Sequence, residues 1–461
     1  MFRRFFDEGL AQSSYLLACD RTRQAVVVDP RRDIDEYVAA AEAEALTITH
    51  AIETHIHADF VSGARELASL GARVISGPAA DLAYTTDRDL AVVHNQHLAI
   101  GDLELTFLHT PGHTPEHISI LARQPGEPDR LFTGDTLFVG AVGRPDLLGE
   151  SVALALARDL YDSIYRTILA LPDDVEVHPG HGAGSLCGAG IGVQPHSTIG
   201  QERRVNTLLR HSSRDAFVDA VLGDLPETPA YFARMKLINR AGPRVLGLSR
   251  GVGPPPAVPA ATAAAKISSG GWLVDLRPAA AFGQAHAAGA LSMSFNPKVG
   301  YWAAWILPAD ARIYLMMDDG QRQAAETQRQ LLRVGLDSLE GSIEGGLDGW
   351  RAAGLPVGAL TQLTAAGLRD RHVRGESTVL VDVRSDREWR SAHVPGALHI
   401  PLHALEARVS EIPRGRVVAT MCEGGFRSSL AASLLERHGM ANLVNVVGGM
   451  NAWRALGPTN T

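Results

Sequence analysis

Histidine and aspartate residues recur in four segments of the first 181 residues, each beside a glycine or proline or in a predicted loop. They are His55, His57 and Asp59, then His113, then Asp135, and finally His181. Imidazole nitrogens and carboxylate oxygens are ligands that bind divalent transition metals. One His-x-His pair alone would be a weak signal, but four such segments predict a metal centre.

A cysteine near the C-terminus lies between an apolar run and a helical pattern. The sequence there is Cys422-Glu423-Gly424-Gly425-Phe426-Arg427-Ser428. A strand–loop–helix turn with two glycines directs backbone N–H groups toward one point, and such a nest stabilises a thiolate. Arg427 adds positive charge and closes a six-residue Cys-x4-Arg loop, whose size suits one sulfur atom better than a phosphate. We therefore predict that Cys422 is a sulfur-carrying nucleophile.

Short β-branched runs alternate with helical patterns over the first ~245 residues. Residues 48–53 predict a strand that ends just before His55, and residues 103–108 predict a strand that leads toward His113. Helical spacing covers residues 151–170 and about 201–240. Because functional residues concentrate in loops held by a scaffold, the metal centre is predicted at strand ends.

The second half of the chain repeats itself. Residues 273–277 match residues 380–384, and residues 345–351 match residues 448–454. Internal similarity of this kind predicts two copies of one α/β domain. In the first copy Met317 stands where the second copy has its cysteine. A thioether cannot form a thiolate, so the first copy is predicted to be inactive.

These patterns predict three domains and one linker. The linker is rich in proline and glycine and is predicted to be semi-rigid and without regular structure. The predicted ranges are 1–245 for the metal-binding domain, 246–261 for the linker, 262–360 for the inactive repeat and 361–461 for the active repeat.

The order of the metal-binding segments over residues 1–245 resembles the metallo-β-lactamase superfamily. Dinuclear hydrolases of that superfamily carry His-x-His-x-Asp-His, whereas this chain has Phe60 in place of the last histidine. Loss of that imidazole favours a single ion, which the resemblance assigns to His55, His113 and Asp135. Two histidines and one carboxylate correspond to the facial triad of non-haem Fe(II) oxygenases.

The same resemblance gives roles to the remaining polar residues. His57, Asp59 and His181 are expected to orient the ligands and the bound substrate. The segment from residue 138 to 146 looks like the Gly-Arg-x-Asp segment of persulfide dioxygenases, the iron branch of the superfamily. By that resemblance Arg144 contacts the anionic tail of a thiol cofactor; the alternative is a surface arginine that caps a loop. Cys187 is interpreted either as a redox or relay thiol near the pocket or as a small buried packing residue.

The segment around Cys422 closely resembles the rhodanese family, and the whole chain resembles the persulfide dioxygenase–rhodanese fusions of bacterial sulfide detoxification. The implied fold class is α/β: a metallo-β-lactamase αββα sandwich followed by two rhodanese-like domains with parallel sheets. The implied cofactor is one Fe(2+) per chain. The implied reaction is oxidation by O2 of a persulfide of glutathione, coenzyme A or a similar thiol to sulfite and thiol. Cys422 would then exchange sulfane sulfur with sulfite, giving thiosulfate.

Two alternatives stay open at this point. One is a glyoxalase II-type metal-dependent thioester hydrolase with appended rhodanese domains, and the other is a non-enzymatic sulfur-delivery module formed by the rhodanese pair. The net charge of −8 argues against nucleic acid or an anionic membrane as a partner. No apolar run approaches the ~20 residues of a membrane span. Three cysteines are too few for a disulfide framework, so we expect a cytoplasmic protein, and we expect it to form a homo-oligomer.

Overall fold

The computed structural model describes residues 1–211, 213–223, 225–318 and 320–457. Residues 1–252 together with 329–335 form one compact unit, and residues 253–328 with those from 336 onward form a second. Within the described ranges, no helix combines the length and apolar character that crossing a membrane requires.

Two six-stranded sheets form the centre of the first unit. The first sheet keeps the order of the chain and changes from antiparallel to parallel pairing after its third strand. Its strands are β1 (Phe2–Asp7), β2 (Gln12–Cys19), β3 (Gln24–Val28), β4 (Thr47–Ile52), β5 (Arg73–Ser76) and β6 (Leu90–Ala91).

The second sheet has the order β14-β13-β10-β9-β8-β7 and is antiparallel except between β10 and β13. The strands β11 and β12 form a separate small hairpin. The strands of this part of the chain are β7 (Gln96–Ile100), β8 (Leu103–His109), β9 (Ile118–Arg123), β10 (Arg130–Gly134), β11 (Leu137–Phe138), β12 (Ala141–Val142), β13 (Glu176–Pro179) and β14 (Ser197–Thr198).

Alternate side chains of the sheets enter different cores, as the two-residue period of a strand requires. Val26 packs between the two sheets with Phe107, whereas its neighbour Val27 packs on the outer side with Tyr37 of the first helix. The outer face of the second sheet packs against α3 and α5. The predicted αββα order is therefore confirmed. The helices of this unit are α1 (Asp35–Ala43), α2 (Ala64–Ser69), α3 (Glu150–Asp162), α4 (Ile199–Val205), α5 (Arg214–Gly223) and α6 (Tyr231–Ala241).

The second unit contains two five-stranded, all-parallel sheets. Their orders are β15-β20-β19-β16-β18 and β22-β26-β25-β23-β24, so corresponding strands of the two repeats occupy corresponding places, and the predicted duplication is confirmed. The strands are β15 (Ala257–Val258), β16 (Trp272–Asp275), β17 (His286–Ala287), β18 (Leu291–Ser292), β19 (Ile313–Met316), β20 (Leu339–Ile343), β21 (Val357–Gly358), β22 (Thr361–Thr364), β23 (Thr378–Asp382), β24 (Leu398–His399), β25 (Val417–Met421) and β26 (Leu443–Val447).

Helices connect the parallel strands of both repeats, since parallel neighbours need a crossover connection. They are α7 (Ala260–Ser268), α8 (Ala279–Gln284), α9 (Val299–Ile306), α10 (Gln321–Arg333), α11 (Gly346–Ala352), α12 (Ala365–Val373), α13 (Asp386–Ser391), α14 (Phe426–Arg437) and α15 (Gly449–Ala455).

Part of the range predicted as a linker is regular structure. Leu248–Arg250 forms a 3₁₀ turn, β15 joins the first parallel sheet, and α7 begins at Ala260. Prolines and glycines predict irregular backbone, but β15 is an edge strand that follows Pro256, a position where a missing N–H does not interrupt the sheet. The prediction that no element lies in this range was wrong.

Candidate metal centre and sulfur-transfer loop

Three side chains from three strand-end segments of the first unit converge on one point. His55 follows β4, His113 lies in the loop after β8, and Asp135 directly follows β10. The Nε2 atoms of His55 and His113 lie 3.8 and 3.5 Å from Oδ2 of Asp135. Ligands that share one ion through bonds of about 2.1 Å stand roughly this far apart. The spacing fits one metal ion.

The burial of these donor atoms also fits a metal. Nε2 of His55, Nε2 of His113 and Oδ2 of Asp135 are inaccessible to solvent and have no hydrogen-bond partner in the protein. A buried polar atom without a partner costs about 1–3 kcal/mol, and more if it is charged. An ion bound by all three atoms would remove that cost.

Hydrogen bonds on the far side of each imidazole determine which nitrogen faces the centre. Nδ1 of His113 donates to the carbonyl oxygen of Arg144 at 2.8 Å. Nδ1 of His55 lies 2.9 Å from Oγ1 of Thr54, whose hydroxyl donates to Asp29 at 2.8 Å. Burial lowers the pKa of both histidines, strongly so for His55. Both rings are therefore neutral, with Nε2 available as a ligand.

The third ligand is held by a histidine between two carboxylates. Nδ1 of His181 lies 2.8 Å from Oδ1 of Asp135, and its Nε2 lies 2.8 Å from Oδ2 of Asp59. Burial opposes charge on His181, but the neighbouring Asp135 raises its pKa well above the ordinary value. Burial likewise opposes ionisation of Asp135, and His181 nevertheless lowers the pKa of that carboxyl well below its usual range. The pair leaves Oδ2 of Asp135 free to bind a metal.

His57 belongs to a neighbouring cluster rather than to the three donor atoms. Its Nε2 lies 3.2 Å from a carboxylate oxygen of Asp29 and 3.2 Å from one of Glu53. Burial lowers the pKa of His57, but these carboxylates outweigh it and raise the pKa to about 10. The Phe60 ring, fully buried, lies 4.3 Å from the His57 ring and offers no ligand atom.

One positioning residue was absent from the sequence analysis. Nε2 of His117, which is fully buried, accepts the backbone N–H of Asp135 at 3.0 Å. Its Nδ1 lies 2.9 and 3.0 Å from the hydroxyls of Thr110 and Thr136. The signal was a second histidine four residues after His113, in the same Pro-Gly-His segment.

The side chain of Arg144 is enclosed by other groups of the protein. It is 1% exposed and donates to Asp146 in a bidentate pair at 2.8 and 2.7 Å, to the Leu186 carbonyl at 3.1 Å and to Thr228 at 2.7 Å. Arg144 is therefore not a surface arginine, and a contact with a substrate tail stays a prediction. Its part in the centre is the carbonyl oxygen that orients His113.

Cys187 lies beside the centre and is buried. One ligand-type atom each of Asp59, His181 and Cys187 lies within 4.8 Å of the others. Burial, reinforced by the Asp59 carboxylate, raises the pKa of the Cys187 thiol to about 12. The thiol is protonated near neutral pH, as a buried packing residue would be, and a redox role stays a prediction.

A cavity adjoins the metal centre at His55. It is small, with room for about one water molecule. Its wall mixes apolar side chains such as Ile56 and Leu82 with the carboxylates of Glu53 and Glu116.

The sulfur-transfer loop directs a backbone N–H at the cysteine. Cys422 directly follows β25, is 1% exposed, and its sulfur accepts the N–H of Gly425 at 3.0 Å. Gly425 adopts φ +108°, a conformation that glycine tolerates without strain. The Ser428 hydroxyl lies 3.5 Å from the same sulfur and donates to Oδ1 of Asn445 at 2.7 Å. The N–H of Gly425 is therefore the donor that this loop offers to a sulfur anion.

Charged residues surround this loop in pairs. Glu423, which follows the cysteine, binds Arg384 at 3.1 Å and also binds Arg454. Arg427 forms a bidentate ion pair with Glu388 at 2.6 and 2.7 Å. Sequence reasoning identified neither Arg384 nor Glu388, because both lie far from the loop in the chain.

Comparisons with known proteins agree with this architecture. The metallo-beta-lactamase superfamily matches residues 7–181, and the rhodanese-like domain matches residues 259–353 and 364–456. The chain belongs to the metallo-β-lactamase superfamily and carries two rhodanese-like domains. It is 31% identical to a hydroxyacylglutathione hydrolase of Polaromonas sp. over 48% of this chain and 92% of that protein. It is 30% identical to the persulfide dioxygenase ETHE1 of Homo sapiens over 49% of this chain and 81% of that protein.

A solved structure extends the likeness beyond the metallo-β-lactamase domain. A metallo-beta-lactamase from Staphylococcus aureus is 35% identical, with a TM-score of 0.64, over 74% of this chain and 98% of that chain. In contrast, the chain spans only 60–62% of the length of four other hydroxyacylglutathione hydrolases. This superfamily member therefore has both dioxygenase and hydrolase relatives, and its metal-binding fold is shared by both.

Removal of the metal is expected to destabilise the first unit. Without an ion, three buried donor atoms have no partner. A metal ion that binds only the folded state stabilises that state. We expect chelation to lower the unfolding midpoint of this unit by about 5–10 °C in calorimetry. The transition of the second unit should not move, and His113→Ala should abolish the effect. An unchanged midpoint after verified metal loss would contradict a metal at this place.

Proposed function

We propose that the first unit oxidises a low-molecular-weight thiol persulfide with O2 at a single ferrous ion held by His55, His113 and Asp135. The proposal rests on one set of three buried donor atoms without partners, together with Phe60, which offers no ligand atom for a second ion. Two histidines and one carboxylate form the ligand set of non-haem iron oxygenases. A ferrous ion in that place would supply the redox chemistry that O2 requires.

The chain's own residues bind and orient the substrate and hold a proton in this reaction. One persulfide anion, one O2 and one water give sulfite, a thiol and a proton. His181 holds a proton between Asp59 and Asp135 and can deliver it to the departing thiolate. The cavity beside His55 has room for about one water molecule, so the tail of glutathione, coenzyme A or a similar thiol would lie outside it.

The second unit would carry the sulfur-transfer half of the pathway. The Cys422 thiolate attacks the outer sulfur of a persulfide, releases the thiolate RS⁻ and becomes a cysteine persulfide. Sulfite then takes the outer sulfur, leaves as thiosulfate and restores the thiolate. The N–H of Gly425 supports the negative sulfur throughout. The first repeat, with Met317 at the matching place, contributes no nucleophile.

A second candidate function is hydrolysis of a glutathione thioester. It is favoured by Asp59, His181 and Cys187, which lie close together beside the first centre, and by Oδ1 of Asp59, which is buried without a partner. A second ion there would make a dinuclear site of the kind that metal-dependent hydrolases use. Hydroxyacylglutathione hydrolase relatives support the same candidate.

Metal content and substrate choice separate the two functions. We expect anaerobically purified protein to contain about one iron per chain, because both ring nitrogens of His181, which a second ion would need, already bind Asp59 and Asp135. It should consume O2 with glutathione persulfide or coenzyme A persulfide in an oxygen electrode, and the sum of sulfite and thiosulfate released should equal the O2 consumed. The matched assay is hydrolysis of lactoylglutathione by the same preparation. Two zinc ions per chain with thioester hydrolysis and no O2 uptake would refute the dioxygenase proposal.

A further inference from the structure

Arg427, the residue that closes the Cys422 loop, is already bound on two sides. Both of its terminal nitrogens donate to the carboxylate of Glu388, at 2.6 and 2.7 Å. Its guanidinium carbon lies 5.9 Å from the centre of the Trp302 ring, a cation–π distance. Trp302 belongs to α9 of the first repeat and also lies 6.3 Å from the Phe426 ring. The cation nearest the sulfur loop is therefore covered by both repeats.

Glu388 is itself held in place and stays ionised. Its Oε2 accepts the backbone N–H and the hydroxyl of Ser385, at 3.0 and 2.9 Å, in a capping box at the start of α13. Burial opposes ionisation, but Arg427 outweighs it and lowers the pKa of Glu388 to about 2. Arginine usually binds an anion through its two terminal nitrogens. In Arg427 both of these nitrogens are already occupied by the carboxylate of Glu388.

We infer that Glu388 is a specificity-determining residue of the sulfur-transfer site, because it neutralises Arg427 and so disfavours the dianion thiosulfate relative to a thiol persulfide, whose reacting group carries one negative charge. The inference rests on the proposed function of Cys422. It means that the site binds thiosulfate weakly, both as a sulfur donor and as a product.

The charge balance of the two donors explains the expected discrimination. A persulfide anion and the Cys422 thiolate carry two negative charges, which end on RS⁻ and the cysteine persulfide. Thiosulfate and the same thiolate carry three, which end on sulfite and the cysteine persulfide. Because the second reaction gathers one more negative charge in the loop, it depends more strongly on a free cation beside it.

The decisive variant is Glu388→Gln in the full chain. Glutamine can still complete the Ser385 capping box, so the start of α13 is preserved while the charge is lost. We expect the KM for thiosulfate, in thiosulfate:cyanide sulfurtransfer, to fall about fivefold to tenfold at low salt. The KM for glutathione persulfide should change less than about twofold, and high salt should erase most of the gain.

Three further variants control this comparison. Glu388→Asp keeps the charge and should keep the wild-type ratio of the two KM values. Asp386, on the same helix, has a side chain that is 64% exposed and is not paired with Arg427. Asp386→Asn should therefore also keep the wild-type ratio of the two KM values. Trp302→Leu should lower the thiosulfate KM slightly by itself and combine non-additively with Glu388→Gln, since both residues contact one guanidinium.

The results of these experiments distinguish a failure of this inference from a failure of the proposed function. An unchanged or higher thiosulfate KM in folded Glu388→Gln, or an equal change for both donors, would overturn the role of Glu388 whether or not the first unit consumes O2. A wild-type chain that transfers sulfur from neither donor would overturn both this inference and the sulfur-transfer half of the proposed function. Loss of O2 uptake alone would affect only the first unit.

Discussion

His113→Ala is expected to abolish metal binding and to reduce O2 consumption with a persulfide by at least about 100-fold, because it removes one of three protein ligands from the centre. Thiosulfate:cyanide sulfurtransfer should stay within about twofold of the wild type, since Cys422 lies in a different compact unit and uses no metal. The measurements are iron content per chain, oxygen-electrode rates and sulfurtransfer rates on one preparation.

A matched histidine controls for the substitution itself. His97 lies on β7, in the sheet whose strand β8 leads to His113. Its side chain is 59% exposed and is paired with Glu104. His97→Ala should keep both iron and O2 consumption. If His113→Ala lost both activities while its unfolding remained cooperative, two independently working units would be the wrong description.

Cys422→Ala should abolish sulfurtransfer, by at least about 10³-fold, because the covalent route has no other nucleophile at that place. Met317 in the first repeat cannot replace it. O2 uptake with persulfide should remain within about twofold, and the product should change from thiosulfate to sulfite. Ion chromatography of both products against O2 consumed measures the change directly.

Another buried cysteine provides the control for this second experiment. Cys19 lies on β2, away from the three donor atoms, and Cys19→Ala should retain both the rate and the product ratio. Sulfite also reacts slowly with persulfides in solution, so the thiosulfate yield is corrected with an enzyme-free reaction. An unchanged corrected yield in Cys422→Ala would show that another group carries the sulfur.

Local sequence was sufficient for the features that depend on a few neighbouring residues. The Cys422 loop is an example, since its two glycines and the strand–helix setting already determine that N–H groups turn toward the sulfur. The duplication of the second half is another, because matched segments must fold alike. The strand-end placement of His55 followed from the strand pattern of residues 48–53, which ends just before it.

Contacts between distant segments were decided only by the tertiary structure. The surroundings of Arg144 are an example: Asp146, Leu186 and Thr228 enclose its guanidinium, and no local pattern brings Thr228 to it. Glu388 likewise reaches Arg427 across 39 residues of chain.

The tautomers of the metal ligands are also decided by contacts between distant segments of the chain. Which nitrogen of His113 faces the centre depends on a carbonyl 31 residues later in the chain, and the charge of His181 depends on carboxylates that are 46 and 122 residues away. The sequence by itself determined which residue types are available for chemistry and on which elements they lie. The packing of strands and loops decided which of them meet, because burial and hydrogen-bond partners depend on segments that only the folded chain brings together.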